Sequence, residues 1–291
     1  GMSRINICFA CDDNYAKLCG VSIASILNRA KNSDELNFYI LDYCISEKNK
    51  AKFEHLKKIK DCEINFFKID DERFKNLYLP DKKGYLSIAA YLRFVISSLF
   101  RGIDKILYLD CDVIATTSLE EIYNTDIEDF YAAMVKDTSS EENCERLHFN
   151  PEDIYYNSGV ILMNLKKWRE DNLEQILFNT IDEGLDDQDI LNIAMKGQIK
   201  TLDPKWNWQG KAKYYPKGEK YPNLIHFITA YKPWRTGSRK GFNKEYFKNL
   251  KLTPWNNIYE QYFSRYFPNI SRDRKYLHIC LWGVKTRVKI S

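Results

Sequence analysis

The 291-residue sequence has no apolar run approaching the roughly 18 residues a membrane-crossing helix needs, and the best candidate, 86–100, carries Arg93 at its centre. A bilayer-spanning chain is not expected. Neither common glycine-rich phosphate cradle is present, since there is no G-x-x-x-x-G-K-[ST] and no G-x-G-x-x-G. A phosphate ligand would therefore need a metal and cationic side chains. Internal repeats and low-complexity stretches are also missing. With only 12 Gly and 8 Pro, 44% hydrophobic and 29% charged residues, the composition is that of an ordinary globular protein, neither disordered nor fibrous. The short apolar run at the start closes on Asp12-Asp13 and gives no secretory pattern, so the cytoplasm is the expected compartment.

Eight cysteines stand singly at 8, 11, 19, 44, 62, 111, 144 and 280, in a chain long enough to need no disulfide staples, and they read as reduced thiols. Cys8 and Cys11 form a C-x-x-C, but residues three apart in a strand point to opposite faces, so a redox or zinc role is not expected of that pair. The net charge of +4 is uneven: residues 243–291 hold 10 Lys/Arg against 3 Asp/Glu, leaving −3 for the rest.

The length suits one large α/β domain with a sizeable core. Ile5 to Ala10 predicts a strand, 15–30 a helix, 36–43 a second strand, 47–60 a Lys-rich solvated helix, and 63–69 a third strand. That alternation predicts a parallel sheet covered by helices on both faces. Residues 87–99 then read as a helix and 106–109 as a buried strand that stops at Asp110. Further strands are expected at 131–135, 159–165 and 224–228, and helices at 120–123, 166–180 and 187–195. The chain is divided into 1–242, the main domain, and 243–291, an appended basic, aromatic helical segment.

The sharpest chemical feature is Asp110-Cys111-Asp112 directly after the buried strand. In a strand, side chains at i and i+2 share a face, and open α/β sheets bind ligands at the carboxyl ends of their strands. Two converging carboxylates repel unless a cation lies between them, and oxygen donors suit Mg²⁺ or Mn²⁺. A pair of solvated turn aspartates is the plainer alternative. Asp12 and Asn14, Asp137, and His226 also fall at or near predicted strand ends; for His226 in an apolar strand, a satisfied core residue is the default.

Six segments, in order, carry a resemblance: 7–15 (ICFACDDNY), 87–93 (SIAAYLR), 106–112 (ILYLDCD), 156–160 (YNSGV), 187–192 (DQDILN), and His226 through Lys232-Pro233-Trp234. Together they resemble glycosyltransferase family 8, retaining nucleotide-sugar transferases that include bacterial lipooligosaccharide galactosyltransferases. The resemblance implies a Rossmann-like α/β GT-A fold with a mixed central sheet, a UDP-hexose donor (glucose or galactose), a divalent metal, Mn²⁺ or Mg²⁺, and a glycan or glycolipid acceptor such as an envelope lipopolysaccharide. It also implies Asp110, Asp112 and His226 as metal ligands, which reverses the default for His226. By the same resemblance, Ala10, Asp12 and Asn14 look like a uridine pocket, with Cys111 beside it. Arg93, Asp137 and Asn157 look like donor-sugar groups, Asp187 and Gln188 catalytic groups, and Thr229 and Lys232 diphosphate contacts.

Two positions depart from the family pattern. Thr229 stands where relatives often have Gly, and Tyr85 where some have His. The residue matching the family's candidate nucleophile is Gln188, an amide, which favours acceptor attack from the face the phosphate leaves over a covalent sugar intermediate. An apolar strand followed by Asp110-x-Asp112 also resembles haloacid-dehalogenase-type phosphatases, in which the first Asp attacks phosphorus, but that motif expects Thr or Val where this chain has Ile114. The ten aromatic residues between Tyr246 and Trp282, interleaved with Lys and Arg, suit either an anionic membrane surface or a cap packed on the domain. No nucleic-acid module is present.

Overall fold

The computed structural model describes residues 3–69, 90–218, 221–229 and 232–257, and the strands 269–272, 276–281 and 284–289. Its core is a seven-stranded sheet of order β3-β2-β1-β4-β7-β6-β8. These strands are β1 (Ser3–Asp12), β2 (Asp34–Tyr43), β3 (Glu63–Lys68), β4 (Lys105–Leu109), β6 (Ala132–Lys136), β7 (Tyr156–Asn164) and β8 (Ile199–Thr201), while β5 (Val113–Ala115) pairs separately with β9 (Leu224–His226). β1, β2, β3 and β4 run parallel, β7 lies antiparallel to both β4 and β6, and β8 is parallel to β6. The sheet is therefore mixed.

β1 is buried on both faces, as a central parallel strand must be. Ile5, Ile7, Phe9 and Cys11 enter one apolar layer with Val21, Ile26, Phe38 and Phe53. Cys8 enters the opposite layer with Leu92, Phe94, Ile106, Trp168 and Ile190. The chain leaves β1 toward β2 on one side and later returns as β4 on the other. At that change of direction the ends of β1 and β4 open a crevice, the usual ligand position in such sheets.

Four helices matter to the argument: α1 (Ala16–Arg29), α2 (Glu47–His55), α3 (Asp187–Ala194) and α4 (Asn243–Leu250). α3 begins with a capping box in which Asp186 accepts from the Asp189 N–H and Asp189 accepts in return from the Asp186 N–H. That cap fixes the first turn, and with it Asp187 and Gln188.

Several expectations change. The helix expected over 166–180 is two helices, Leu165–Glu170 and Leu173–Thr180, broken at Asn172 with φ 51°. Of the helix expected over 87–99, Ser87 to Ala89 lie outside the described residues, and the remainder is a 3₁₀ turn, Leu92–Val95, running into Ile96–Leu99. Asp110 and Asp112 do not extend a strand. β4 stops at Leu109, and the Val113 N–H donates to the Asp110 carbonyl across a tight turn.

Among the described residues, the segment from 243 is helical over α4 and then carries an antiparallel three-stranded sheet of β10 (Asn269–Arg272), β11 (Tyr276–Leu281) and β12 (Val284–Lys289), where a helical segment was expected. The reason is visible in the period-two pattern Val284-Lys-Thr-Arg-Val-Lys289, which suits a strand and not a helix. Tyr246, Phe247 and Trp255 are buried in the main core, so these three aromatics cap the domain. No helix among the described residues is long and apolar enough to cross a membrane.

Candidate active site

The crevice between β1 and β4 gathers most of the polar residues singled out above. The turn 110–112 brings two carboxylates forward, and β5 pairs Val113 with His226 of β9, which sets the imidazole across from them. His226 Nε2 lies 3.0 Å from Asp112 Oδ1 and 3.7 Å from Asp110 Oδ2. One oxygen of each carboxylate and one imidazole nitrogen lie within 4.8 Å of one another.

A chain of hydrogen bonds decides which atoms these three residues present to one another. Asp137 Oδ2 accepts from the Asn157 amide at 3.0 Å, which points the Asn157 oxygen the other way. That oxygen accepts from the Gly159 N–H (3.0 Å) and the Asn207 amide (2.9 Å). Asn207 is thereby left with its oxygen 3.0 Å from His226 Nδ1, and an amide oxygen only accepts, so Nδ1 carries the proton. The neutral ring then turns the Nε2 lone pair on Asp112 Oδ1, a buried oxygen with no hydrogen-bond donor among the described residues. Three acceptors face one point. Only a second proton on the ring or a cation relieves that arrangement, and two carboxylates with a neutral imidazole suit a divalent ion such as Mn²⁺. The outer amides supply the orienting support that metal-ligating histidines require.

Electrostatics agree. Burial pulls the His226 imidazole down, but Asp112, with Asp110 behind it, outweighs burial and holds it above the ordinary histidine value. Burial likewise pushes Asp112 up, but His226 and Lys232 outweigh it and hold the carboxyl well below the usual carboxylate range. Lys232 Nζ lies 3.1 Å from Asp112 Oδ2 and also donates to the Phe227 carbonyl.

Gly159 permits this packing. A Cβ there would stand 2.2 Å from His226 Cε1 and 2.9 Å from Asp110 Oδ2. The glycine is required by close approach rather than by backbone angle.

Beside the triad, Arg93 is buried, and its guanidinium donates to the carbonyls of Ala90 and Ser158 and to the Asp187 carboxylate, with Asp110 at 3.8 Å. Burial pushes Asp187 up and Arg93 only partly offsets it, so that carboxyl sits above its ordinary value. Gln188 has both ends engaged: its oxygen accepts from the Ser158 N–H (2.9 Å) and hydroxyl (3.1 Å), and its amide donates to Asp137 Oδ2 (3.2 Å).

Two cavities flank the triad. One, of about 230 Å³, is lined by Ala10, Asp12, Tyr15, Ala90, Arg93, Tyr108 and Asp110 to Asp112. The other, of about 650 Å³, is lined by residues that include His226, Thr229, Lys211, Lys213, Lys240 and Phe242. Of the residues expected at the smaller cavity, Ala10, Asp12 and Cys111 line it, whereas Asn14 is exposed in the turn after β1 and does not. The reason is local: Asp12 Oδ1 accepts from the Tyr15 N–H at 2.9 Å, a turn that leaves Asn14 outside and brings Tyr15 in. Tyr15, Tyr108 and Asn207 were missed from sequence, as was a cluster of three thiols, Cys11, Cys19 and Cys111, beneath the same wall. Nothing in residue spacing marks them, since each depends on contacts between distant segments.

A mixed α/β sheet with two carboxylates, an imidazole and a buried arginine at its carboxyl edge is the kind of site that takes a phosphate-bearing ligand through a cation. The family model described as "Glycosyl transferase family 8" matches residues 6–237, and the chain belongs to that family. It is similar to general stress protein A of Bacillus subtilis, 27% identical over 277 residues, covering 87% of this chain and 96% of that protein. It is also similar to a lipopolysaccharide 1,3-galactosyltransferase of Salmonella typhimurium, 28% identical and covering 87% of this chain and 80% of the relative. Among solved structures, the galactosyltransferase LgtC in complex with donor and acceptor sugar analogs aligns with a TM-score of 0.71 at 25% identity, covering 88% of this chain and 98% of that one. The protein is thus a GT-A glycosyltransferase, and the phosphatase alternative is set aside.

Proposed function

We propose that the protein transfers a hexose, glucose or galactose, from a UDP-sugar to a glycan acceptor with retention of anomeric configuration. The observation that carries this is the convergence of Asp110, Asp112 and His226 Nε2 on one point between two cavities. These three residues would hold Mn²⁺ or Mg²⁺. When bound, the ion would supply electrostatic stabilisation of the leaving diphosphate.

The chain's own residues supply the rest. Ala10, Asp12 and Tyr15 form the wall for the nucleoside, and the small Ala10 side chain leaves room for the base. Lys232, anchored beside Asp112, is a compact cation for the diphosphate, where negative charge develops as the sugar leaves. Arg93 holds Asp187 at the crevice, and Asp137 and Ser158 clamp the Gln188 amide in one orientation. An amide with both ends hydrogen-bonded is a poor nucleophile, so Gln188 orients and stabilises the cationic sugar while the acceptor attacks from the departing face. The leaving phosphate oxygen takes the acceptor's proton. Trapping a covalent sugar–enzyme species would overturn this route.

The proposed acceptor class, by similarity to the lipopolysaccharide transferases, is an envelope glycan, and the proposed compartment is the cytoplasm. The Lys and Arg residues of the segment 243–291, Lys285, Arg287 and Lys289 among them, are the proposed contacts with an anionic membrane surface. Co-sedimentation with anionic liposomes, with these three residues intact and replaced by Gln, tests that contact. Metal-dependent hydrolysis of UDP-glucose, UDP-galactose and UDP-N-acetyl sugars tests the donor, and turnover of none of them would overturn the reading.

A further inference from the structure

We propose that Cys11, Cys19 and Cys111 form a soft-metal site that takes one Cu(I) ion beneath the smaller cavity and opposes donor binding there. The three thiols come from the end of β1, from α1 and from the turn 110–112, and their sulfur atoms all lie within 4.8 Å of one another. The Cys11 thiol donates to the Asp12 carbonyl (3.1 Å) and the Cys111 thiol to the Ala10 carbonyl (3.4 Å), so both sulfurs are turned inward at the end of β1. The residues are 1%, 0% and 8% exposed respectively, and all three are free cysteines.

Sulfur donors select soft ions, of which Cu(I) and zinc are the common cases. Structural zinc is almost always four-coordinate, and among the described residues only three donors meet here. Three sulfurs satisfy Cu(I), and all three belong to the main apolar cluster, with Cys11 and Cys19 buried beneath the cavity wall. Cys19 lies one turn into α1, a 14-residue helix whose positive end favours negative charge on sulfur. Each thiol that becomes a ligand releases its proton to solvent, and no electron is transferred.

Entry and consequence come from one residue. Cys111 is the third sulfur and also part of the wall of the 230 Å³ cavity. It stands between Asp110 and Asp112, so a shift of its sulfur toward Cys11 and Cys19 turns the segment that carries both carboxylates. Copper and donor are therefore linked reciprocally, each weakening the other by the same factor. The linkage rests on the donor reading given above; the copper site does not.

The test is an anaerobic titration of the full chain with Cu(I) held by a chromophoric chelator, in a Cys44→Ser background that removes an exposed thiol. The expected result is one ion per chain with sulfur-only coordination by X-ray absorption. Cys11→Ala and Cys19→Ala, each checked for folding by thermal melting, are expected to lose affinity at least 100-fold, and Cys144→Ala to retain it. UDP with Mn²⁺ is expected to weaken Cu(I) binding at least tenfold. Substoichiometric copper, or full retention in either folded variant, overturns the site. Stoichiometric copper indifferent to a UDP that does bind overturns the antagonism. Failure of UDP to bind the copper-free protein counts against the donor reading alone.

Discussion

Replacing Gly159 with Ala tests the triad without touching any of its members. The added methyl would meet His226 Cε1 at 2.2 Å, about 1.3 Å short of the roughly 3.5 Å at which carbon atoms rest. The ring has little slack: Asn207 accepts from Nδ1 at 3.0 Å on one side, and Asp112 Oδ1 stands 3.0 Å from Nε2 on the other. Nor can the methyl move toward the other side, where Asp110 Oδ2 lies at 2.9 Å. The variant must therefore displace one member of the triad. Disturbing the support of a metal-ligating histidine costs about 10–100-fold in affinity, and displacement of the ligand itself belongs at the upper end, about 100-fold or ~2.7 kcal/mol. Overpacking adds a stability loss of ~1–3 kcal/mol. Mn²⁺ titration followed by electron paramagnetic resonance reads the first quantity and thermal unfolding the second. Gly102→Ala, with nothing within 4 Å of its added methyl, is the control expected to change neither. If Gly159→Ala holds Mn²⁺ within about threefold of the parent, the ring is not where the site needs it, and the assignment of His226 fails.

Three further expectations use the same contacts. Protonated His226 has no lone pair to offer, and its value is raised, so Mn²⁺ affinity should fall as pH drops through that raised value, by about tenfold per pH unit. Asp112, held low, stays ionised over that range, so the expected slope is one proton, and a flat profile across ~pH 5–8 would count against His226 as a ligand. Arg93→Lys keeps the charge but cannot reproduce a guanidinium spread over Ala90, Ser158 and Asp187; kcat/KM should fall by about 100-fold, ~2.7 kcal/mol, and an unchanged rate would remove Arg93 from the site. Trp255→Ala should destabilise the fold by ~3–5 kcal/mol in thermal or urea unfolding, since the indole is buried against Phe53 and its N–H donates to Asn49 at 3.0 Å. A loss under about 1 kcal/mol would show that residues past α4 do not belong to the domain core.

What the sequence made legible was whatever depends on local pattern. The apolar run ending at Asp110 announced a central strand, and the alternation of strands and helices announced the sheet. The mixed direction of the sheet is less local: β7 reverses between β4 and β6, and residues 156–164 read the same in either direction. The metal-competent triad was legible only by resemblance, because His226 lies more than a hundred residues from Asp112 and meets it through a three-residue pairing of β5 with β9. Spacing within 110–112 suggested convergence for the wrong reason, alternation along a strand, whereas a turn produces it. Asn207 and Gly159 carried no signal of their own: one matters by which amide atom it turns toward Nδ1, the other by the absence of a single carbon. The C-terminal sheet carries a signal of its own in 284–289, a period of two that the segment's charge and aromatic content masks.

The hydrogen-bond chain from Asp137 to His226 joins Gln188, proposed above to orient the sugar, to the proposed ion site. Asp137 Oδ2 serves two amides at once, Asn157 toward the imidazole and Gln188 toward the sugar side. Removing that carboxylate frees both, so Asn157 can rotate, Asn207 loses its fixed partner, and the Nδ1 proton is no longer assigned. Asp137→Ala should accordingly weaken Mn²⁺ by about tenfold although Asp137 makes no contact with the triad, and it should lower kcat through Gln188. Asp137→Asn with its oxygen in the place of Oδ2 can still accept from both amides, while its NH2 would face the Ser139 N–H that Oδ1 accepts at 2.8 Å; its Mn²⁺ affinity should lie nearer the parent than the Ala variant. If instead Asp137→Ala lowers kcat with Mn²⁺ affinity unchanged, the two amides act independently, and the tautomer of His226 is set by Asn207 alone.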